Sequence, residues 1–289
     1  MGHVSRAVMV FGFGAVMAAR LIAESPATVP FALDDRGAVV VSATVAGRGP
    51  FRLLVDTGSN RSALSEAAID AIGARFVART EVGTSTEISG WRGVVDAGPI
   101  AVGSAIQPTL LAAVLTRQEL GTLGANIDGI LGQDFLRTFS YTIDYRRRRL
   151  LWHGGTAESS APNGIRLTLH PDKGRFVVEL PQGQDDRRPV RFVPDSGADA
   201  LVVFERAGRL PLAIDRPDRT ASVLGVAGAR DSAYGSIAAL RIGTGVWHNC
   251  PVAVLPGRED IPNVDGLLPL RLFSRVSFFP DEGILVVQR

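Results

Sequence analysis

The chain has 289 residues, 46% of them hydrophobic and 21% charged, a balance that excludes wholesale disorder and leaves room for one large domain or two smaller ones. The formal charge is only +2, and the densest basic cluster, residues 146–149, has no recognition motif beside it; it reads as a solvated hairpin turn, not a nucleic-acid surface. Cys250 is the only cysteine, which excludes an internal disulfide, and His3, His153, His170 and His248 are too scattered for metal-site spacing, so no metal or cofactor is expected.

In chain order, Arg6 precedes an apolar stretch over 7–19 that ends at Arg20. A basic start and a short apolar run read as a secretory signal, too short for a membrane-spanning helix. Residues 1–25 are therefore set aside as a signal peptide or N-terminal anchor. A periplasmic or secreted protein is expected, with membrane contact only where that segment is retained.

Residues 39–45 and 51–55 read as strands about a turn at 47–50, and 65–72 as a short helix capped by Ser65 and ended by Gly73. Strands follow at 76–82, 91–96, 99–102 and 109–115. Residues 135–139 form a helical or turning segment, and 140–144 with 149–152 form a hairpin across the arginine run. Residues 153–164, rich in Gly, Ser, Ala and Pro, read as a linker. Beyond it come strands at 175–180 and 190–193, a short helix near 204–209, and strands near 222–226, 236–242, 251–255, 275–279 and 284–287. Short strands without sustained βα alternation predict an all-β fold.

The chain also repeats itself. Gly49-Pro50-Phe51-Arg52-Leu53-Leu54-Val55-Asp56-Thr57-Gly58-Ser59 is echoed by Arg188-Pro189-Val190-Arg191-Phe192-Val193-Pro194-Asp195-Ser196-Gly197-Ala198, 139 residues later. Ile127-Asp128-Gly129-Ile130-Leu131-Gly132 matches Val264-Asp265-Gly266-Leu267-Leu268-Pro269 at an offset of 137, and Ser140-Tyr141 and Asp144 match Ser277-Phe278 and Asp281 at the same offset. Three matches in one order define an N-terminal lobe over 26–152, a linker over 153–164 and a C-terminal lobe over 165–289.

Asp56 and Asp195 each end an apolar run and begin a tight turn carrying a hydroxyl residue and a glycine. Thr57 and Ser196 can hold two such loops against each other, and Gly58 and Gly197 permit close approach. Two carboxylates meeting across a pseudo-twofold axis share one proton. One oxygen can then activate water while the other carboxyl supplies an acid, which is enough for amide hydrolysis without a covalent intermediate.

These residues resemble the aspartic protease superfamily over roughly residues 35–289, with a pepsin-like two-lobed arrangement of units similar to retroviral-type and bacterial retropepsin-like domains. The resemblance implies a duplicated all-β fold with two pseudo-symmetric lobes and a central cleft. It makes Asp56 and Asp195 the catalytic pair of an aspartic endopeptidase acting on peptide or protein substrates. Thr57, Gly58, Ser59, Ser196, Gly197 and Ala198 become their supporting loops, and Gly132 of Ile130-Leu131-Gly132 packs behind the first. It further implies a hairpin flap over 83–95, with Trp91 as a substrate-facing residue, and a counterpart over 221–237 with Tyr234. Both catalytic half-sites lie in one chain, so a monomer is expected.

The second copy departs from the pattern at Pro194 and Pro269. Each proline lacks an N–H, which predicts different packing behind Asp195. The alternative to an enzyme is a catalytically inactive two-lobed peptide-binding protein. A glycosidase would also use two carboxylates but would not need duplicated turns. Asp128 and Asp265, each just before a glycine, read as structural hydrogen-bond acceptors and not as a second dyad. Cys250 reads as a buried cysteine, since Asn249 and Pro251 offer no activation.

Overall fold

The computed structural model describes residues 27–83, 88–124, 126–154, 164–181, 188–225, 228–257 and 263–289. The segment 1–25 and most of the expected linker lie outside the described residues, as do the tips of both expected flaps, 84–87 and 226–227. Among the described residues no helix is long and apolar enough to cross a membrane.

The period-2 patterning works as anticipated. In Val39–Val45, Val41, Ala43 and Val45 turn inward while Ser42 and Thr44 face outward. The resulting strands build two sheets of matching topology. Across the first, the order is Arg75–Gly83, Ile88–Asp96, Leu111–Leu115, Ala63–Ser65, Gly129–Leu131, Arg48–Val55 and Val39–Val45. Across the second it is Asp215–Gly225, Gly228–Ile242, Gly245–Pro256, Leu201–Glu205, Gly266–Pro269, Val190–Asp195 and Arg175–Leu180. Seven strands thus recur in one order, so the fold is duplicated and two-lobed as well as predominantly β.

The duplication extends to single contacts. Gly129–Leu131 runs parallel to Arg48–Val55 and antiparallel to Ala63–Ser65, and Gly266–Pro269 occupies the same place in the second half. A Cβ on Gly129 would lie 2.2 Å from the Ala63 carbonyl oxygen, and one on Gly266 would lie 2.0 Å from that of Val202. Only glycine fits at either crossing. The two longest strands, Gly228–Ile242 and Gly245–Pro256, fuse what the first half divides into four pieces.

A third sheet joins the halves, in the order Ala27–Pro30, Arg149–His153, Ser140–Asp144, Arg275–Phe279, Ile284–Gln288 and Ile165–Thr168. At its centre Tyr141 lies directly opposite Phe278, its own repeat equivalent. Only a residue pair on the pseudo-twofold axis can face its equivalent in this way. The two rings stack 4.8 Å apart at 13°, and the Thr142 and Ser277 hydroxyls hydrogen-bond alongside at 2.7 Å. One apolar core, from Val29 to Val287, runs through both halves. Each large side chain removed from water there contributes about 1.5–3 kcal/mol, so the lobes are stabilised together.

The first helix forms as expected. Glu66–Ile72 is capped by the Ser65 hydroxyl, which accepts from the Ala68 N–H, and ends at a left-handed Gly73. The helix expected near 204–209 is absent. Leu201–Glu205 is instead a strand running parallel to Gly245–Pro256, because a Leu-Val-Val-Phe run suits a pleated core position better than a helix. The residues beyond it close a tight turn, Arg206 bridging Arg209. A second helix, Arg117–Leu123, was not anticipated, although Thr116 and Glu119 form a capping box that is visible in the sequence. Glu119 also pairs with Arg92 on Ile88–Asp96, tying this helix to the expected flap. Cys250 is buried, and burial raises its thiol pKa.

Candidate active site

The sheets deliver two loops to one point. Asp56 follows Arg48–Val55 and Asp195 ends Val190–Asp195. In each loop one carboxylate oxygen is held by its own backbone. Asp56 Oδ1 accepts from the Gly58 and Ser59 N–H groups at 2.9 and 3.0 Å. Asp195 Oδ1 accepts from those of Gly197 and Ala198 at 2.8 and 3.0 Å. Each loop lies against the other's carboxyl group, close enough for the two carboxyls to influence each other's ionisation.

Thr57 and Ser196 lock the loops together reciprocally. Ser196 Oγ accepts from the Thr57 N–H at 3.0 Å and donates to the Val55 carbonyl at 2.7 Å. Thr57 Oγ1 accepts from the Ser196 N–H at 3.0 Å and donates to the Pro194 carbonyl at 2.8 Å. Both hydroxyl residues are buried. Ser196→Ala leaves a buried donor and a buried acceptor unpaired, so a stability loss of about 2 kcal/mol is expected. Urea unfolding checks this, and Ser196→Thr, which repeats the chemistry of Thr57, is expected to recover most of the loss.

Where the loops meet, Gly58 leaves no room for a side chain and Gly197 leaves little. A Cβ on Gly58 would lie 2.4 Å from Asp195 Oδ2, and one on Gly197 would lie 3.1 Å from Asp56 Cγ. Behind the first loop, a Cβ on Gly132 would lie 2.6 Å from the Arg61 carbonyl. The Gly132 N–H donates to Ser62 Oγ at 2.9 Å, and that hydroxyl donates to Asp134 at 2.6 Å. The next residue, Gln133, donates from Nε2 to the Thr57 carbonyl at 3.0 Å and from its backbone to the Ser59 carbonyl at 2.9 Å.

The two prolines change this backing without moving the carboxylate. Pro269 has no N–H to donate, but the position equivalent to Ser62 is Leu201, fully buried. A donor and its acceptor have been replaced together, so neither is stranded. Pairing of Val190–Asp195 with its outer neighbour ends at Phe192, while the parallel ladder continues through Pro194 to Asp195. The donor missing at Pro194 therefore does not break the ladder that carries Asp195.

Electrostatics separates the pair. Burial raises both carboxyl pKa values above the ordinary range. For Asp56 the rise is opposed by the Gly58 and Ser59 N–H groups and by Asp195 and Arg175. For Asp195 burial is reinforced by the Asp56 charge, and its own loop N–H groups offset only part of this. Asp195 is buried, whereas Asp56 keeps an edge toward solvent. The proton therefore rests more firmly on Asp195.

The other singled-out residues make contacts of their own. Asp128 Oδ2 accepts from the Arg52 N–H at 2.7 Å, and Asp265 Oδ2 accepts from the Arg191 N–H at 2.9 Å. Each braces its own lobe, as expected. Trp91 is 67% exposed on Ile88–Asp96, while Tyr234 packs with Ala198 against the Val177, Val193 and Phe204 cluster. The expected flaps are antiparallel hairpins of Arg75–Gly83 with Ile88–Asp96 and of Asp215–Gly225 with Gly228–Ile242. Among the described residues no group of three or more His, Cys, Asp or Glu converges as a metal site. Sequence reasoning missed Ser62, Gln133 and Asp134. Their equivalents are Leu201, Leu270 and Arg271, so a search for repeated residues could not find them.

A doubled β fold whose copies each bring an Asp-Thr/Ser-Gly turn to a common axis has the architecture of an aspartic protease. Two segments, residues 41–135 and 182–270, match the aspartyl protease family model and together span more than half of the chain. The protein belongs to that family. No curated protein matches the chain.

Proposed function

We propose that the protein is an active aspartic endopeptidase, built of two retropepsin-like units of the bacterial kind, with Asp56 and Asp195 as its catalytic pair. The observation that carries this reading is the matched seating of the two carboxyl groups, each held by two N–H groups of its own loop and lying against the glycine of the other. The pair keeps one proton between them. The ionised carboxylate takes a proton from water as the water oxygen bonds to the peptide carbonyl carbon, and the neutral carboxyl protonates the carbonyl oxygen. Collapse of the resulting diol breaks the C–N bond, and the nitrogen leaves with a proton returned from the pair.

In this reading the 26–152 and 165–289 lobes are joined by the 153–164 linker, and the protein acts as a monomer outside the cytoplasm. Trp91, open to solvent, is the stronger substrate contact. Tyr234, committed to packing, acts by supporting the second loop.

The test is cleavage of a peptide library from about pH 3 to 9, with and without a chelator. Below the lower step of the pair no base is present, and above the upper step no acid remains. Because burial and the Asp56 charge raise Asp195, the alkaline limb is expected well above the ordinary carboxyl value of about 4. Chelator should leave the rate unchanged. Peptide binding without cleavage at any pH would overturn the enzymatic reading in favour of an inactive peptide-binding protein.

A further inference from the structure

The lobes are not electrostatically equivalent. Arg175–Leu180 matches Val39–Val45 in its place beside the catalytic strand, with Val178 opposite Phe192 as Val41 is opposite Leu53. The turns before them also match, since Gly37 and Gly174 have φ of 83° and 81°. This register sets Arg175 against Ala38. Both are buried, so one lobe places a guanidinium where the other has a methyl group.

The guanidinium belongs to the second lobe by sequence but acts on the first lobe's carboxylate. The turn before Arg175 leans on the first catalytic loop, where Asn60 Nδ2 donates to the Lys173 carbonyl at 3.3 Å. A Cβ on Gly174 would lie 3.4 Å from Asn60 Cβ. The titratable and charged groups acting on Asp56 are Asp195 and Arg175. Those around Asp195 are Asp56 and the Tyr145 phenol, which stays neutral and itself feels Arg271. A cation on the strand that starts beside the first catalytic loop therefore acts on one carboxylate, while the other interacts with a neutral phenol.

We propose that Arg175 is a positioning residue that breaks the symmetry of the pair, holding the shared negative charge on Asp56 and leaving the proton on Asp195. This rests on the reading of Asp56 and Asp195 as a catalytic dyad and assigns its roles. Asp56 is the base that takes the proton from water, and Asp195 is the acid that protonates the substrate carbonyl. An arginine suits this task because its charge persists even when buried.

The test is a carboxyl-¹³C aspartate NMR titration of the whole protein, with the two resonances assigned by Asp56→Asn and Asp195→Asn. In the wild type, Asp56 is expected to ionise first. In Arg175→Met the lower step should rise by about one pH unit, with the acid limb of kcat/KM moving by the same amount. Arg175→Lys should stay close to wild type. First ionisation at Asp195 in the wild type overturns the proposal without any variant having to fold, as does an unmoved lower step in a folded Arg175→Met. The titration needs no turnover. A protein that never cleaves peptide sinks the protease reading, and the charge assignment is decided separately.

Discussion

Replacing Asp56 or Asp195 with asparagine is expected to lower kcat for peptide cleavage by about 10⁴-fold in each case, at the upper end of what proton transfer by a positioned group supplies. The chemistry needs one carboxylate and one carboxyl in contact, and an amide can be neither base nor acid. KM should change little, because the amide keeps an oxygen to accept from Gly58 and Ser59, or from Gly197 and Ala198, as the carboxylates do. The double variant should be scarcely slower than either single one, since the two groups act as a unit. An Asp195→Asn enzyme that retained a tenth of wild-type kcat would show that the second loop is not catalytic.

The same variants separate function from stability. Asp195 holds its proton more tightly in the folded state than in the unfolded chain. The native state thus binds more protons than the unfolded one between the two pKa values, and native stability falls as pH rises across that interval. Asparagine carries no such dependence. Asp195→Asn is therefore expected to be inactive yet more resistant to unfolding than wild type at neutral pH, with a gap that closes as pH falls below the unfolded carboxyl value. Loss of activity through misfolding would give the opposite result.

Much of this site was legible because it is written twice. Asp56, Thr57 and Gly58 could be matched to Asp195, Ser196 and Gly197, and the structure places these residues against each other. The all-β fold followed from short runs such as 39–45, whose alternation survives in the burial of Val39–Val45. What stayed hidden was asymmetric. Ser62, Gln133 and Asp134 brace only the first loop, Arg175 replaces an alanine, and Leu201–Glu205 extends as a strand after its loop where the first half turns into the helix Glu66–Ile72. Repeat comparison finds what two halves share. Features confined to one half had to come from tertiary contacts, such as the parallel pairing that holds Phe204 opposite Leu255. Pro194 and Pro269 looked disruptive for the same reason: their compensation, Leu201 in place of Ser62, lies more than 60 residues away in sequence from Pro269.

Gly58→Ala is expected to cost about 10²-fold in kcat/KM, the penalty for displacing a catalytic group by roughly an ångström, whereas Gly197→Ala should cost less than about tenfold. The prediction turns on distance, because neither glycine occupies the left-handed region. The added methyl at Gly58 would sit 2.4 Å from Asp195 Oδ2 and 2.5 Å from its Cγ, well inside contact distance. Gly58 is buried and Asp195 is tied to its own loop N–H groups, so relief must come from moving one loop off the other, against the Thr57–Ser196 lock. At Gly197 the nearest atom is 3.1 Å away and the site is exposed, so a shift of a few tenths of an ångström suffices. Paired measurements of kcat/KM and of the urea midpoint check both variants, with Gly58→Ala falling further on each. Equal losses would mean that the two loops approach the axis symmetrically, and the closer seating of Asp195 over Gly58 would then have no catalytic consequence.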